Sequence, residues 1–144
     1  VQVECIQKHG GMVDKFIGDA CMAIFNAPLN LDNHEQRAVA CAQDMRTAME
    51  ELQNKLPEPI AIGIGVNTGE AVVGNMGSDT RFDFSAIGDA VNTAARLESA
   101  TKEAKVDILI GESTYKKIPP KVGVKFVRNM YVKGKKKALK VYTV

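Results

Sequence analysis

Residues 60–66, Ile-Ala-Ile-Gly-Ile-Gly-Val, constrain the fold more than any other stretch of the chain. They alternate with period two, which is strand spacing. One face of that strand carries isoleucine, and the other is cut down to Ala61, Gly63 and Gly65. Glycine weakens a strand interior and marks a place where another backbone comes close. The expectation is a strand with a second element packed tightly on its small-residue face.

The flanking segments supply the other elements. Residues 1–8 have a helix-like pattern that Gly10-Gly11 ends. Residues 12–17 and 20–25 alternate as two strands joined at Gly18-Asp19, a tight two-residue turn. Asn33 followed by Gln36 makes a capping box for a long helix, with Ala38, Cys41, Met45, Met49, Leu52 and Leu56 on its apolar face and Pro57 and Pro59 closing it. After the turn Asn67-Thr68-Gly69, residues 70–75 and 81–87 read as strands. Asp89, a good N-cap, then opens a helix continued by Val91, Ala94, Ala95, Glu98 and Thr101. A short strand over 106–110, a short helix over 112–118 and a hairpin over 122–132 and 139–144 complete the chain. This order of elements predicts an α+β fold with helices over a mostly antiparallel sheet.

A chain of 144 residues, 45% apolar and 25% charged, fits one soluble domain with a sizeable core. Its formal net charge of +2 is small, and most of the basic excess lies in residues 133–140. That balance, with no aromatics interleaved among the lysines, argues against a nucleic-acid partner. Cys5, Cys21 and Cys41 are odd in number, widely spaced and set among apolar residues, the pattern of reduced core cysteines and a cytoplasmic setting. No run approaches the roughly 20 apolar residues of a membrane span, and nothing resembles a signal peptide. The first residues begin abruptly in a helical pattern without an initiator Met, as an internal stretch of a longer protein would.

Two constellations carry chemistry. Asp19 sits at a hairpin tip four residues after Lys15; alone, a Gly-Asp turn is an ordinary solvated bend. In "GDAVNTAARLES", Asn92 and Arg96 are four apart and share a face near a helix N-terminus, where backbone N–H groups and the macrodipole favour an anion. Such a pair can clamp a phosphate, although Asn and Arg are also common as exposed helix residues.

Three stretches, "DKFIGDACMAIFNAP", "GIGVNTGEAVVGNMGS" and "FSAIGDAVNTAARLES", follow one another in the order and spacing of the class III nucleotide cyclase catalytic domain. The chain resembles that family from about Gly10 to its end, and its bacterial adenylate cyclase branch in particular. The resemblance implies a ferredoxin-like catalytic core converting ATP to 3′,5′-cyclic AMP and pyrophosphate in signal transduction. Asp19 matches the second of two aspartates that hold two divalent cations, Mg²⁺ or Mn²⁺. Lys15 matches the lysine that hydrogen-bonds adenine, and Ser85 falls where its partner in base recognition is Asp or Thr. Asn92 matches the ribose-orienting asparagine, Arg96 the arginine that stabilises charge on the α-phosphate, and Lys133 the lysine that binds the terminal phosphates. The resemblance further implies a head-to-tail homodimer, with metals held by one protomer and base and transition-state groups by the other. It also implies a sensory or regulatory domain upstream in the parent protein.

The chain departs from that pattern in two places. Serine at position 85 keeps a hydroxyl that donates and accepts, so some use of GTP stays open. The family's first metal aspartate lies on a strand ahead of the opening helix, and no acid between Val1 and Asp14 sits in a comparable strand motif. Residues 1–144 are therefore expected to form a cyclase domain without its first strand, weakly active or inactive alone within an active parent. The competing reading is a cyclase-like module that dimerises and binds nucleotide, or regulates a partner, without catalysis.

Overall fold

The computed structural model describes residues 2–27, 29–58, 61–75, 84–119, 123–131 and 138–144. The described chain runs α1 (Gln2–Lys8), β1 (Met12–Ile17), β2 (Ala20–Ile24), α2 (His34–Gln53), β3 (Ile64–Val66), β4 (Val72–Asn75), β5 (Phe84–Ile87), α3 (Asp89–Ala104), β6 (Ile108–Gly111), α4 (Glu112–Tyr115), β7 (Lys125–Met130) and β8 (Leu139–Thr143). All four residues of β6 are buried, as a short apolar run covered on both faces must be. It pairs with β3 in parallel and with β8 antiparallel, and β7 completes a four-stranded sheet in the order β3-β6-β8-β7. The remaining strands form two antiparallel hairpins, β1-β2 and β4-β5.

The α+β expectation therefore holds, with antiparallel pairing dominant, but the helices cover both faces of the main sheet. Alternation along β6 explains this. Ile108 and Ile110 join Val39 and Ala42 of α2 in one buried cluster, whereas Leu109 joins Leu97 of α3 and Val141 of β8 in another. Each such fully buried aliphatic side chain contributes about 1.5–3 kcal/mol.

The small-residue face of the 60–66 stretch meets α3. A Cβ on Gly65 would strike the carbonyl oxygen of Ala94 and the amide nitrogen of Glu98, and one on Gly63 would strike the Thr101 hydroxyl. Helix backbone cannot yield as a flexible side chain can. Gly65→Ala should lower the unfolding free energy by about 1–3 kcal/mol, measured as an earlier urea midpoint at unchanged slope; an unmoved midpoint would show that the contact is slack.

Several boundaries differ from expectation. Asn33 precedes α2 but has left-handed φ 56°, ψ 38° and makes no capping side-chain bond, because a capping side chain needs an extended backbone. The buried face of α2 runs through Val39, Cys41 and Ala42, and Leu56 lies beyond the helix, 43% exposed. Gly88 is the N-cap of α3, and Asp89 is its first residue, where an acid still complements the dipole. The strands expected over 60–66 and 70–75 are shorter, beginning at Ile64 and Val72, while of the strand expected over 81–87 residues 84–87 are described and residues 81–83, like Ile60, lie outside the described residues.

Cys41 is buried and Cys5 and Cys21 half-buried, all three free, as the sequence suggested. Burial, with neighbouring Cys5, Asp44 and Cys21 adding to it, pushes the Cys41 thiol up to about 12, so it is unreactive at neutral pH. His9 ties α1 to α2 through a 2.6 Å contact between its Nε2 and Asp44 Oδ2. That hydrogen bond, assisted by Lys8, holds the Asp44 carboxyl below its ordinary value. A depressed carboxyl stabilises the fold above the ordinary carboxylate range and loses that contribution as pH falls through it. The site is exposed enough to water for the effect to be small.

Candidate active site

Hairpin β1-β2 carries two of the candidates. Lys15 lies opposite Met22 in the ladder, and Asp19 occupies the turn after Gly18, whose φ of 59° is left-handed. Both side chains are exposed. Val13 pairs with Ala23 but Lys15 with Met22, so Asp14 is one residue in excess. A bulge of this kind bends the strand and re-aims the side chains that follow. Alternation in the sequence gives no sign of it.

Ser85 lies on β5, opposite Gly74. Strand β5 touches both β1 and α3, so the strands bearing Lys15 and Ser85 are neighbours. The chain passes from β5 into α3 through Gly88 at φ 146°, a conformation glycine adopts at little cost. Asn92 and Arg96 then stand one turn apart on α3, both exposed. The Asn92 N–H donates to Gly88 O at 3.1 Å, an early bond of the helical ladder. Asn92 is the fourth residue of α3 and Arg96 the eighth, so an anion beside them would meet their side chains and not the open backbone N–H groups of the first turn. Lys133 and its neighbours Lys135, Lys136 and Lys137 lie outside the described residues.

Asp19 offers the oxygen donors a hard divalent cation prefers, yet such an ion takes about six ligands. Among the described residues, no group of three His, Cys, Asp or Glu converges as a metal site. The donor chemistry fits; one carboxylate is a fraction of the set. Two surface cavities lie elsewhere, one of about 260 Å³ between α1 and α2 beside Cys5 and Asp44, the other of about 400 Å³ beside His9, Arg37 and Ile118. Neither is lined by Lys15, Asp19, Asn92 or Arg96.

The first turn of α3 is held by bonds that local sequence patterns do not reveal. Asn67, just after β3, donates from Nδ2 to the Ala90 carbonyl at 3.0 Å. Its Oδ1 accepts from the Ser113 hydroxyl of α4 at 3.2 Å. Ser113 Oγ also donates to Thr68 O at 2.6 Å, and the Thr68 and buried Thr114 hydroxyls are bonded at 2.7 Å. Gly111 leaves space for Asn67, since a Cβ there would strike Oδ1, and a Cβ on Gly69 would come within 2.8 Å of the Ala90 methyl. The sequence reading treats Asn67 only as a turn residue; a glycine ending the otherwise apolar β6 is the trace this arrangement leaves.

Comparison with known proteins agrees with the geometry. The profile of the adenylate and guanylate cyclase catalytic domain matches residues 4–144. An adenylate cyclase from Anabaena cylindrica is 35% identical over 153 aligned positions, covering 98% of this chain and 29% of the relative. The guanylyl cyclase Cya2 superposes with a TM-score of 0.84 at 32% identity over 98% of this chain and 73% of that one. The adenylyl cyclase CyaB from P. aeruginosa gives a TM-score of 0.77 at 32% identity over 98% and 74%. The chain thus spans less than a third of the length of the Anabaena relative.

Proposed function

The chain belongs to the adenylate and guanylate cyclase catalytic-domain family, and from that premise we propose that the full-length protein cyclises ATP to 3′,5′-cyclic AMP and pyrophosphate at sites composed by two chains. The observation that carries this reading is the contiguity of β1, β5 and α3. Candidates for base, ribose and phosphate contact follow one another along connected elements. A lysine at position 15 favours adenine.

A composite site is supported by exposed apolar surface. Phe16 and Ile17 on β1 are 64% and 61% exposed, and Val72 on β4 and Ile87 on β5 are 64% and 52% exposed. Large apolar side chains gathered on neighbouring hairpins are a surface for association. Those hairpins also bear Lys15, Asp19 and Ser85. Pairing two chains head to tail would cover this surface and bring the Asp19 turn of one toward the Arg96 helix of the other.

In the proposed reaction the ribose 3′-oxygen forms a bond to the α-phosphorus. The bond from that phosphorus to the bridging oxygen of the β-phosphate breaks, the hydroxyl proton passes to solvent water, and pyrophosphate leaves with the electron pair. Lys15 and Ser85 orient the base, and Asn92 holds the ribose so that its 3′-oxygen lies in line with the leaving group. Arg96 neutralises charge on the α-phosphate oxygens as it builds up, and Lys133 steadies the terminal phosphates. Asp19 would supply one carboxylate to divalent cations, whose chemistry there would be to lower the pKa of the attacking hydroxyl and to shield the triphosphate. A second aspartate, expected on a strand ahead of α1, would add a second carboxylate, leaving substrate phosphates and water to fill the remaining positions.

The direct test is an assay of the full-length protein with ATP and Mn²⁺, and in parallel with GTP. Cyclic AMP and pyrophosphate should form in equal amounts, with ATP preferred. Nucleotide binding without a cyclic product would leave a non-catalytic nucleotide-binding module.

A further inference from the structure

Resting on the reading of Asn92 and Arg96 given above, we propose that Asn67 is a positioning residue that fixes the first turn of α3, and so the nucleotide-facing pair on it, against the β3-β6 sheet. Asn67 bonds the helix at Ala90, two residues before Asn92 and six before Arg96. The bond is directional. Only the Nδ2 end can donate to a carbonyl oxygen, so the amide orientation is fixed by Ala90 and the Oδ1 end is left to accept from Ser113.

The same loop is anchored from its other side. Ser113 has one proton and two acceptors, the nearer being Thr68 O, and the Thr68 hydroxyl is bonded to Thr114, which is fully buried within α4. Helix α4 follows directly on β6, the buried centre of the sheet. A chain of bonds therefore runs from the core strand through Thr114, Thr68 and Asn67 to the first turn of α3. Tight packing adds to it, because Gly69 lies against Ala90 and Gly111 against Asn67. A helix that must present Arg96 to a developing charge loses rate when it shifts by as little as about 1 Å. The bond at Ala90 restrains that shift where the helix begins.

The experiment is a double-mutant cycle in the full-length protein. Asn67→Asp keeps the shape, removes the donor and sets a carboxylate against the Ala90 carbonyl. It should lower kcat at least about tenfold with KM for ATP within about threefold, because binding contacts survive while alignment is lost. In the Arg96→Ala background the same change should cost clearly less, since one of the two groups being aligned is gone and only Asn92 remains to be misplaced. Ser113→Ala, a milder change that leaves the Asn67–Ala90 bond in place, should show a smaller loss with the same dependence on Arg96, and serves if Asn67→Asp does not fold. An equal loss with and without Arg96 would overturn the positioning role and make Asn67 merely structural. Full activity of Arg96→Ala itself would instead strike at the cyclase reading beneath it.

Discussion

Replacing Arg96 with alanine should lower ATP turnover by at least about a hundredfold, while the Kd of a non-cyclisable ATP analogue should change by less than about threefold. Arg96 is exposed on α3 and contributes nothing to the buried cluster around Leu97, so its removal leaves the fold intact. An exposed substitution of this kind moves stability by no more than about 0.5 kcal/mol. The loss belongs to the transition state. A hundredfold slower step corresponds to about 2.7 kcal/mol, the scale of one preorganised donor facing a developing charge. Steady-state kinetics, equilibrium binding and a thermal melt of the same sample check all three parts. A normal kcat, or a loss accounted for entirely by weaker binding, would remove Arg96 from the chemistry.

Asp19→Ala should abolish divalent-dependent turnover. The carboxylate lies in a hairpin turn and is exposed, so the β1-β2 ladder does not depend on it. Its loss would remove a hard oxygen ligand, and water would take that place without charge or fixed geometry. Binding of the ATP analogue should lose most of its response to Mn²⁺, and Asp19→Asn, which keeps the shape and loses the charge, should behave nearly as badly. Titration of Mn²⁺ against both activity and analogue binding makes the test. Retention of Mn²⁺-dependent turnover by the alanine variant would show that the hairpin tip holds no cation.

Much of the fold was legible because it is local. The period-two run with Gly63 and Gly65 announced a close approach, and α3 makes it. Gly18-Asp19 announced a hairpin, and β1-β2 is one. What the sequence could not show depends on partners far along the chain. The parallel pairing of β3 with β6 joins residues more than forty apart, and the Ser113–Asn67 bond spans 46 positions. No local pattern encodes either. The bulge at Asp14 was hidden for a different reason, because the strand around it keeps an acceptable alternation whether or not one residue is extra. The capping box at Asn33 was misread because Asn serves both as an N-cap and as a residue that tolerates left-handed backbone, and the second use prevails here.

The site is legible in the same uneven way. Lys15, Asp19, Asn92 and Arg96 could be named from their motifs, and the structure adds that β1, β5 and α3 are contiguous. Asn67 could not be named, because nothing within its turn distinguishes a residue that bonds a distant helix from one that faces water. Apolar side chains left exposed on the two hairpins were equally invisible to a pattern that expects alternate residues to be covered.

Mixing the two inactive variants tests the composite site most directly. In a head-to-tail pair of one Asp19→Ala chain and one Arg96→Ala chain, one site carries both lesions and the other carries neither. With free exchange of chains, half of the pairs are mixed and each has one intact site, so activity should return to about a quarter of the unmutated level. Activity no greater than the sum of the two separate variants, in a sample shown to contain mixed pairs, would mean that each chain holds its own complete site and would contradict the account.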